Sequence, residues 1–330
     1  MKVVTWLGEY DFSLDEIPDP VPRKDEVVVK IDTAGICGTE LHLIQGLFPG
    51  SPPKILGHEY SGQVIQVGDP SFDYLLGKNV ACQAFLKCKK CRACKNSGSC
   101  TGRKSFGGFS QKIAMPSQLV HILPKGLSLE NASLTEPAAC SLSGLRKVGI
   151  SPGKTILIIG AGVIGLLTAG ISKLMGAEKI IVSDPIKMRR EKAKQVGADF
   201  TLDPNKDNLS EFINDLTDGL GVDIACEATG IPKLVEDIFY LIKEKGVLQL
   251  AGVGPEGTNV PIDLFKLHNR EISIQGAFGM GDCFIDALEI LNNLNLDGFV
   301  NNFFSLSEVE KAFKKAEKYQ SIKTSIKPNM

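Results

Sequence analysis

The sequence carries almost no excess charge: 37 Lys+Arg stand against 38 Asp+Glu, with four histidines, giving a net charge near −1 over 330 residues. That balance leaves no electrostatic footprint for nucleic acid or for an anionic bilayer, so the expected partner is a small molecule. Met1 to Trp6 lacks a basic stretch followed by an apolar run and a small-residue cleavage site. No secretory signal is read there, and a reducing cytoplasm is the expected compartment. Internal repeats and low-complexity tracts are missing too. Long uncharged runs are scarce. Thr155 to Ser172 reaches 18 residues and touches the length of a membrane span, but its four glycines and strand-like start predict a buried strand, turn and helix.

What is present is enough apolar material, 43% of the chain, for about two folded domains, which excludes a disordered or collagen-like chain. Nine cysteines, an odd number, point in a reducing compartment to metal or catalysis more than to disulfides. The first 150 residues read as short strands (Glu26 to Ile31, Gly62 to Val67, Val120 to Leu123) separated by Pro and Gly. From Thr155 the pattern alternates. Strands are expected at Thr155 to Ile159, Lys179 to Val182, Val222 to Ala225, Gly246 to Leu250 and Glu271 to Ala277, and helices at Val163 to Met175, Lys187 to Gln195 and Lys233 to Lys243. Such alternation is the signature of βαβ units and a parallel sheet, so the fold class is α/β. Asp282 to Leu294 and Ser307 to Tyr319 read as helices, the second capped by Ser307 with Glu310 three residues on.

Gly160-Ala161-Gly162-Val163-Ile164-Gly165 follows an apolar strand and opens a helix, the setting in which a glycine pattern becomes a dinucleotide site. Gly160 makes the tight turn, Gly162 admits a pyrophosphate, and Gly165 lets the helix pack on the strand, while the helix start at Val163 and Ile164 offers N–H groups to phosphate. A second strand ends in Asp184, 19 residues after Gly165. A carboxylate there accepts hydrogen bonds from the adenine-ribose hydroxyls and opposes a 2′-phosphate, which favours NAD over NADP. Arg189, about a helical turn further on, is read as packing over the ribose or adenine.

Cys88, Cys91, Cys94 and Cys100 fall within thirteen residues in a C-x2-C-x2-C-x5-C pattern that runs through Asn96, Ser97 and Gly98. Four thiolates so spaced surround one tetrahedral Zn²⁺ and leave no position open for substrate, so this set is assigned to structure. Lys87, Lys89, Lys90, Arg92 and Lys95 offset its charge. A second set is dispersed: Cys37, then His58 and Glu59 from 21 positions on, then Glu136 78 positions after His58. Spacing does not unite them. Read singly, His58 is a core or surface histidine and Cys37 a small buried hydrophobe.

The run Gly35-Ile36-Cys37-Gly38-Thr39-Glu40-Leu41-His42, the run Gly57-His58-Glu59-Tyr60-Ser61-Gly62 with Gly68 beyond it, the cysteine lobe, Glu136-Pro137 and the glycine turn occur in the order found in zinc-dependent medium-chain alcohol and polyol dehydrogenases, and the chain resembles that family over nearly its whole length. The resemblance implies a β-rich GroES-like catalytic domain from residues 1–151 and 278–330, and a doubly wound Rossmann domain from 152–277, with substrate in the cleft between them. It implies a catalytic zinc held by Cys37, His58 and Glu59, with Glu136 at the remaining protein position, directly or through water. Glu40 would orient His58 through its other ring nitrogen. Adjacent side chains of a regular strand point to opposite faces, so His58 and Glu59 reach one metal only if the backbone is irregular after Gly57. On a regular strand Glu59 stands behind the ligands.

The implied reaction is reversible NAD-linked oxidation of a secondary alcohol or polyol to a ketone, with zinc as Lewis acid. Thr39 would take the proton and pass it through the nicotinamide ribose to His42. Glutamate at 136 resembles the sorbitol, threonine and butanediol dehydrogenase branch, where simple alcohol dehydrogenases carry cysteine. Two departures stand out: the cysteine lobe is two residues shorter between its last two ligands, which calls for a tighter loop, and Gly276 to Met280 lacks the arginine of sorbitol dehydrogenases, which argues against sorbitol. Two rivals are a zinc-free, NADPH-linked quinone or enone reductase, which needs no Cys37, His58 and Glu136 together, and a non-catalytic nucleotide or metal sensor. A homodimer or homotetramer is implied by resemblance alone.

Overall fold

The run Glu26–Gly35 is rich in β-branched residues and buried along most of its length, and it forms the centre of a seven-stranded mixed sheet in the computed structural model, which describes residues 1–95, 100, 104–318 and 321–330. Glu59–Val67 pairs antiparallel along one of its edges. Lys112–Pro116 and Lys323–Ile326 share the other. Asn79–Gln83 and Val120–Ile122 extend the sheet past Glu59–Val67, and Val300–Phe304 lies parallel to Lys323–Ile326. A three-stranded sheet of Lys2–Gly8, Asp11–Glu16 and Lys54–Ile55 and a two-stranded one of Phe85–Leu86 and Lys104–Ser105 also belong to this first unit, which comprises Met1–Glu136 and Asp297–Met330. Its core centres on Trp6, Tyr60, Phe109 and Phe313.

The second unit, Pro137–Leu296, is a six-stranded sheet in the order Phe200–Leu202, Lys179–Ser183, Thr155–Ile159, Val222–Glu227, Ile242–Leu250, Ser273–Gly276. Every pairing in it is parallel. The central strands are buried after at most their first residue, which is why they read as nearly unbroken apolar runs without alternation. The uncharged stretch that touched membrane length is divided between a strand, the glycine turn and the twelve-residue helix Val163–Leu174. Among the described residues no helix is long and apolar enough to cross a membrane.

Several boundaries differ from the sequence expectations, each for a local reason. The helix expected to reach Lys243 ends at Phe239, because Ile242 is already paired with Val222 in the sheet. Between Gln195 and Val222 the structure adds the short strand Phe200–Leu202 and the helix Leu209–Leu216, capped by Asn208. The helix expected from Asp282 spans Phe284–Leu291. The capping box forms at Ser305 and Glu308, not at Ser307 and Glu310, and it caps the 3₁₀ turn Leu306–Glu308; the last helix, Val309–Glu317, follows that turn without a side-chain cap of its own. Its expected end at Tyr319 lies outside the described residues. The units divide at Glu136/Pro137 and Leu296/Asp297, where the sequence reading set joints near 151 and 278; the helix Thr135–Val148 runs across the first of these divisions.

Candidate metal centre and nucleotide turn

Cys37 stands two residues past the Gly35 end of the central strand and caps the helix Gly38–Ile44. Its sulfur accepts the Thr39 N–H at 3.5 Å, and the Glu40 carboxylate returns to the Cys37 N–H at 2.9 Å, a capping box with cysteine in the place of serine. Glu40 is 2% exposed, and its second oxygen takes the Gly57 N–H at 3.3 Å and contacts His58 Nδ1. One buried carboxylate thus ties the cysteine backbone, the glycine backbone and the imidazole together. With Nδ1 engaged, Nε2 is the ring nitrogen left for a metal.

Gly57 supplies the irregularity that the sequence required. Its φ of +88° turns the chain immediately before the strand Glu59–Val67, so His58 and Glu59 face the same point as Cys37. One donor atom from each of these three residues lies within 4.8 Å of the others. Glu59 is 1% exposed and forms an ion pair with Lys323, itself 2% exposed, whose ammonium also donates to the Ile36 carbonyl at 3.0 Å. A Cβ at Gly35 would stand 2.4 Å from Glu59 Oε2 and 2.7 Å from Lys323 Cε, so the strand between them must be glycine at that point. Lys323 was absent from the sequence reading, and nothing in its surroundings in the sequence marks it.

The field of this pocket favours a cation. Burial raises the Cys37 thiol, with Glu59 adding to the effect, while His58 and Lys323 oppose it. Burial disfavours a charged His58, yet the Glu40 carboxylate and Cys37 outweigh it and hold the ring well above the usual histidine range. A thiol, an imidazole and a carboxylate in one partly buried pocket that stabilises positive charge fit zinc. Glu136, in the first turn of Thr135–Val148 and 9% exposed, is not in the three-residue cluster. Thr39 is exposed, its hydroxyl 3.6 Å from the Cys37 sulfur. His42 lies three residues further along the same helix, half-buried and edge-on to Phe48 at 4.8 Å, and burial lowers its pKa.

The sulfurs of Cys88, Cys91, Cys94 and Cys100 form the second cluster. Backbone N–H groups are turned onto them: Cys91 onto Cys88 at 3.4 Å, Cys94 onto Cys91 at 3.4 Å, and Cys88 onto Cys100 at 3.2 Å. Such bonds stabilise thiolates, and the N–H groups of Lys90 and Cys91 hold the Cys88 thiol below its ordinary range. The five Lys and Arg side chains of the lobe are exposed around it. Asn96 to Gly98, and with them the expected tight loop, lie outside the described residues.

In the second unit the glycine turn is held from the side. Gly160 donates its N–H to the Ser183 carbonyl at 2.9 Å, and a Cβ at Gly165 would stand 1.8 Å from the Gly160 carbonyl, the close packing expected of that position. Gly162 is the N-cap of the helix that begins at Val163 and Ile164. Asp184, 3% exposed, accepts the Ala161 N–H at 2.8 Å and the Ile186 N–H at 2.7 Å, with Arg189 Nη1 3.8 Å from its Oδ2. The structure therefore gathers the turn, Asp184 and Arg189. Arg190, which the sequence reading passed over, donates to the Asp184 carbonyl at 2.6 Å and to Asp203 at 3.0 Å, and secures the end of that strand.

Comparison with known proteins bears on both units. Residues 23–125 match the alcohol dehydrogenase GroES-like domain and residues 163–293 the zinc-binding dehydrogenase family. The chain is 30% identical to a sorbitol dehydrogenase of Halalkalibacterium halodurans over 99% of its length and 98% of the relative's. It is 32% identical to the L-threonine 3-dehydrogenase of Pyrococcus furiosus over 92% of each chain. A zinc-binding dehydrogenase of Sinorhizobium meliloti, solved bound to NADP, superposes with a TM-score of 0.93 at 30% identity over 99% of both chains.

The buried ion pair carries a test of its own. Lys323→Met leaves the Glu59 charge buried and alone, and is expected to lower the unfolding free energy of the metal-free protein by about 3–5 kcal/mol in urea titration. The double variant Glu59→Gln/Lys323→Met should recover most of that loss. A single variant as stable as wild type would mean that the pair reaches water.

Proposed function

The chain belongs to the zinc-dependent medium-chain alcohol and polyol dehydrogenases, and from that footing we propose that it converts a secondary alcohol flanked by a polar group to the ketone, reversibly and with NAD. It is a zinc-dependent oxidoreductase that works with a nicotinamide dinucleotide. The observation that carries the proposal is the convergence of Cys37, His58 and Glu59 on one partly buried point. A zinc-free quinone or enone reductase gives that set no task, and the dehydrogenase relatives favour an oxidoreductase over a non-catalytic nucleotide or metal sensor.

Zinc, when bound, supplies Lewis acidity that lowers the pKa of an alcohol hydroxyl, and the nicotinamide ring is the hydride acceptor. Cys37 and His58 hold the metal, Glu59 joins them with its charge shared by Lys323, and Glu136 serves the remaining position, directly or through water. Glu40 keeps His58 turned toward the metal. Thr39 receives the alcohol proton. His42, whose lowered pKa leaves its ring neutral at pH 7, takes that proton to solvent. Cys88, Cys91, Cys94 and Cys100 hold a second zinc that fastens their lobe and has no place for substrate. Gly160, Gly162, Val163, Ile164 and Gly165 receive the pyrophosphate, Asp184 the adenosine ribose, and Arg189 covers it. Asp184 is the ground for NAD over NADP.

The partner is a small alcohol or polyol. We further infer a homodimer or homotetramer: Ser273–Gly276 ends the sheet order of the second unit, with Ile274 41% exposed, and in the same unit Leu264 and Phe265 are 74% and 75% exposed. All nine cysteines are outside disulfides, which suits a reducing cytoplasm.

Elemental analysis of the purified protein should find close to two zinc per chain. Cys94→Ser should lose one and unfold more readily, whereas Cys37→Ser should lose turnover and stay folded. Normal turnover in the Cys37 variant would overturn the catalytic assignment. Asp184→Ser should weaken NAD binding and relax discrimination against NADP, measured as the ratio of the two kcat/KM values; a wild type that prefers NADP would make Arg189 the determinant. For substrate, Glu136 places an anionic acceptor beside the metal, which a hydroxyl or ammonium next to the reacting carbon satisfies. An unfunctionalised chain offers that carboxylate no such bond, a difference of about 1–3 kcal/mol, so kcat/KM for 2,3-butanediol or threonine should exceed that for ethanol by about tenfold or more. Equal efficiencies would remove the polyol reading.

A further inference from the structure

Glu227 has no part in the functional reading so far, yet it is 1% exposed at the end of the strand Val222–Glu227. A carboxylate in that place is costly unless its oxygens are bonded. They are: Oε1 accepts the Thr229 N–H at 2.6 Å, the Gly230 N–H at 3.0 Å and the Thr229 hydroxyl, and Oε2 shares the Gly230 N–H at 3.0 Å. The Thr229 hydroxyl oxygen in turn accepts the Ile231 N–H at 3.1 Å. The Glu227 carbonyl accepts both the Ala251 and the Gly252 N–H at 2.8 Å, so one residue fixes its own loop and the loop that follows the neighbouring strand. A third segment joins them. Ala228 donates to the Ile159 carbonyl at 2.9 Å, and the Thr229 methyl stands where a Cβ on Gly160 would meet it at 2.6 Å.

The position of this clamp in the sheet gives it a meaning. From Thr155–Ile159 the strand order runs outward through Lys179–Ser183 on one side and through Val222–Glu227 and Ile242–Leu250 on the other. Open parallel sheets take a dinucleotide across the carboxyl ends of their strands at such a reversal, one mononucleotide on each side. Asp184 marks the adenosine side. The loops that Glu227 holds, 228–230 and 251–253, fall on the opposite side, and they turn Ile231 and Val253 outward, 50% and 51% exposed. An apolar rim of this kind suits a flat ring and its ribose.

We propose that Glu227 is the positioning residue for the nicotinamide mononucleotide half of the cofactor, shaping both loops that receive it, while the adenosine half depends on Asp184 and the glycine turn. This rests on the dinucleotide reading given above. The test is titration calorimetry of the zinc-loaded protein with NADH and, separately, with ADP, which carries the adenosine half alone. Glu227→Gln removes the charge and sets an amide N–H against a backbone N–H, and should weaken NADH at least tenfold while ADP stays within about twofold. Thr229→Val removes the hydroxyl link and keeps the methyl on Gly160; it should weaken NADH about threefold, again with ADP unchanged, and it carries the comparison if the glutamine variant does not fold. Unchanged NADH binding in either folded variant, or equal losses for NADH and ADP, overturns the proposal, the second result making Glu227 a support of the whole unit. A wild type that binds neither ligand overturns the dinucleotide reading itself, and is told apart from the other failures by that fact.

Discussion

The metal pocket depends on a carboxylate and an ammonium taken out of water together. Glu59 and Lys323 are each almost wholly buried. Each ion loses several kcal/mol of hydration, which their mutual attraction offsets only with close contact and further hydrogen bonding, supplied here by the Ile36 carbonyl. Close contact requires that nothing stand between them, and the strand that does pass between them has glycine there. Because Cys37 follows Gly35 by two residues, the constraint that places the pair also places the first sulfur. The pocket therefore sits at that end of the sheet.

A common device runs through both units. Four buried acids, Glu40, Glu59, Asp184 and Glu227, stand at or beside strand ends or loops. Three of them spend their oxygens on backbone N–H groups of glycine-containing turns: Glu40 on Gly57, Asp184 on Ala161 and Glu227 on Gly230. Bonds to an ionised acceptor are stronger than those between neutral groups, and they rigidify segments that have little core of their own. Glycine lets these turns form, and the acid beside each one holds it in a single shape.

Legibility in the sequence followed the range of the interactions. The βαβ alternation and the glycine turn are local patterns, and Asp184 lies within one such unit of the turn, so all were read in place. The cysteine lobe fits into thirteen residues and was equally plain. Cys37, His58 and Glu59 needed a family resemblance, since spacing says nothing about which strands pair, and it is the register Gly35 opposite Glu59 that brings them together. Lys323 lies 264 positions from Glu59 and reads as any lysine of a terminal strand. Glu227 was hidden because a strand-end glutamate reads as a surface residue until its loop is seen to fold back on it. The capping box was misplaced because Ser305-x-x-Glu308 and Ser307-x-x-Glu310 fit the same pattern, and only the preceding 3₁₀ turn decides between them.

The insertion of one unit within the other has a consequence for synthesis. Residues 137–296 are translated between Glu59 and Lys323, so the nucleotide unit is complete in the chain while the metal unit still lacks its counter-ion. At about 5–20 residues per second, the 187 residues from Glu136 to Lys323 take roughly 10–40 s to make. For that interval Glu59 has no ammonium beside it, and the Gly35 end of the central strand has no Ser325 to pair with. The Glu59–Lys323 pair, and the strand pairing beside it, can form only after the whole nucleotide unit has been made.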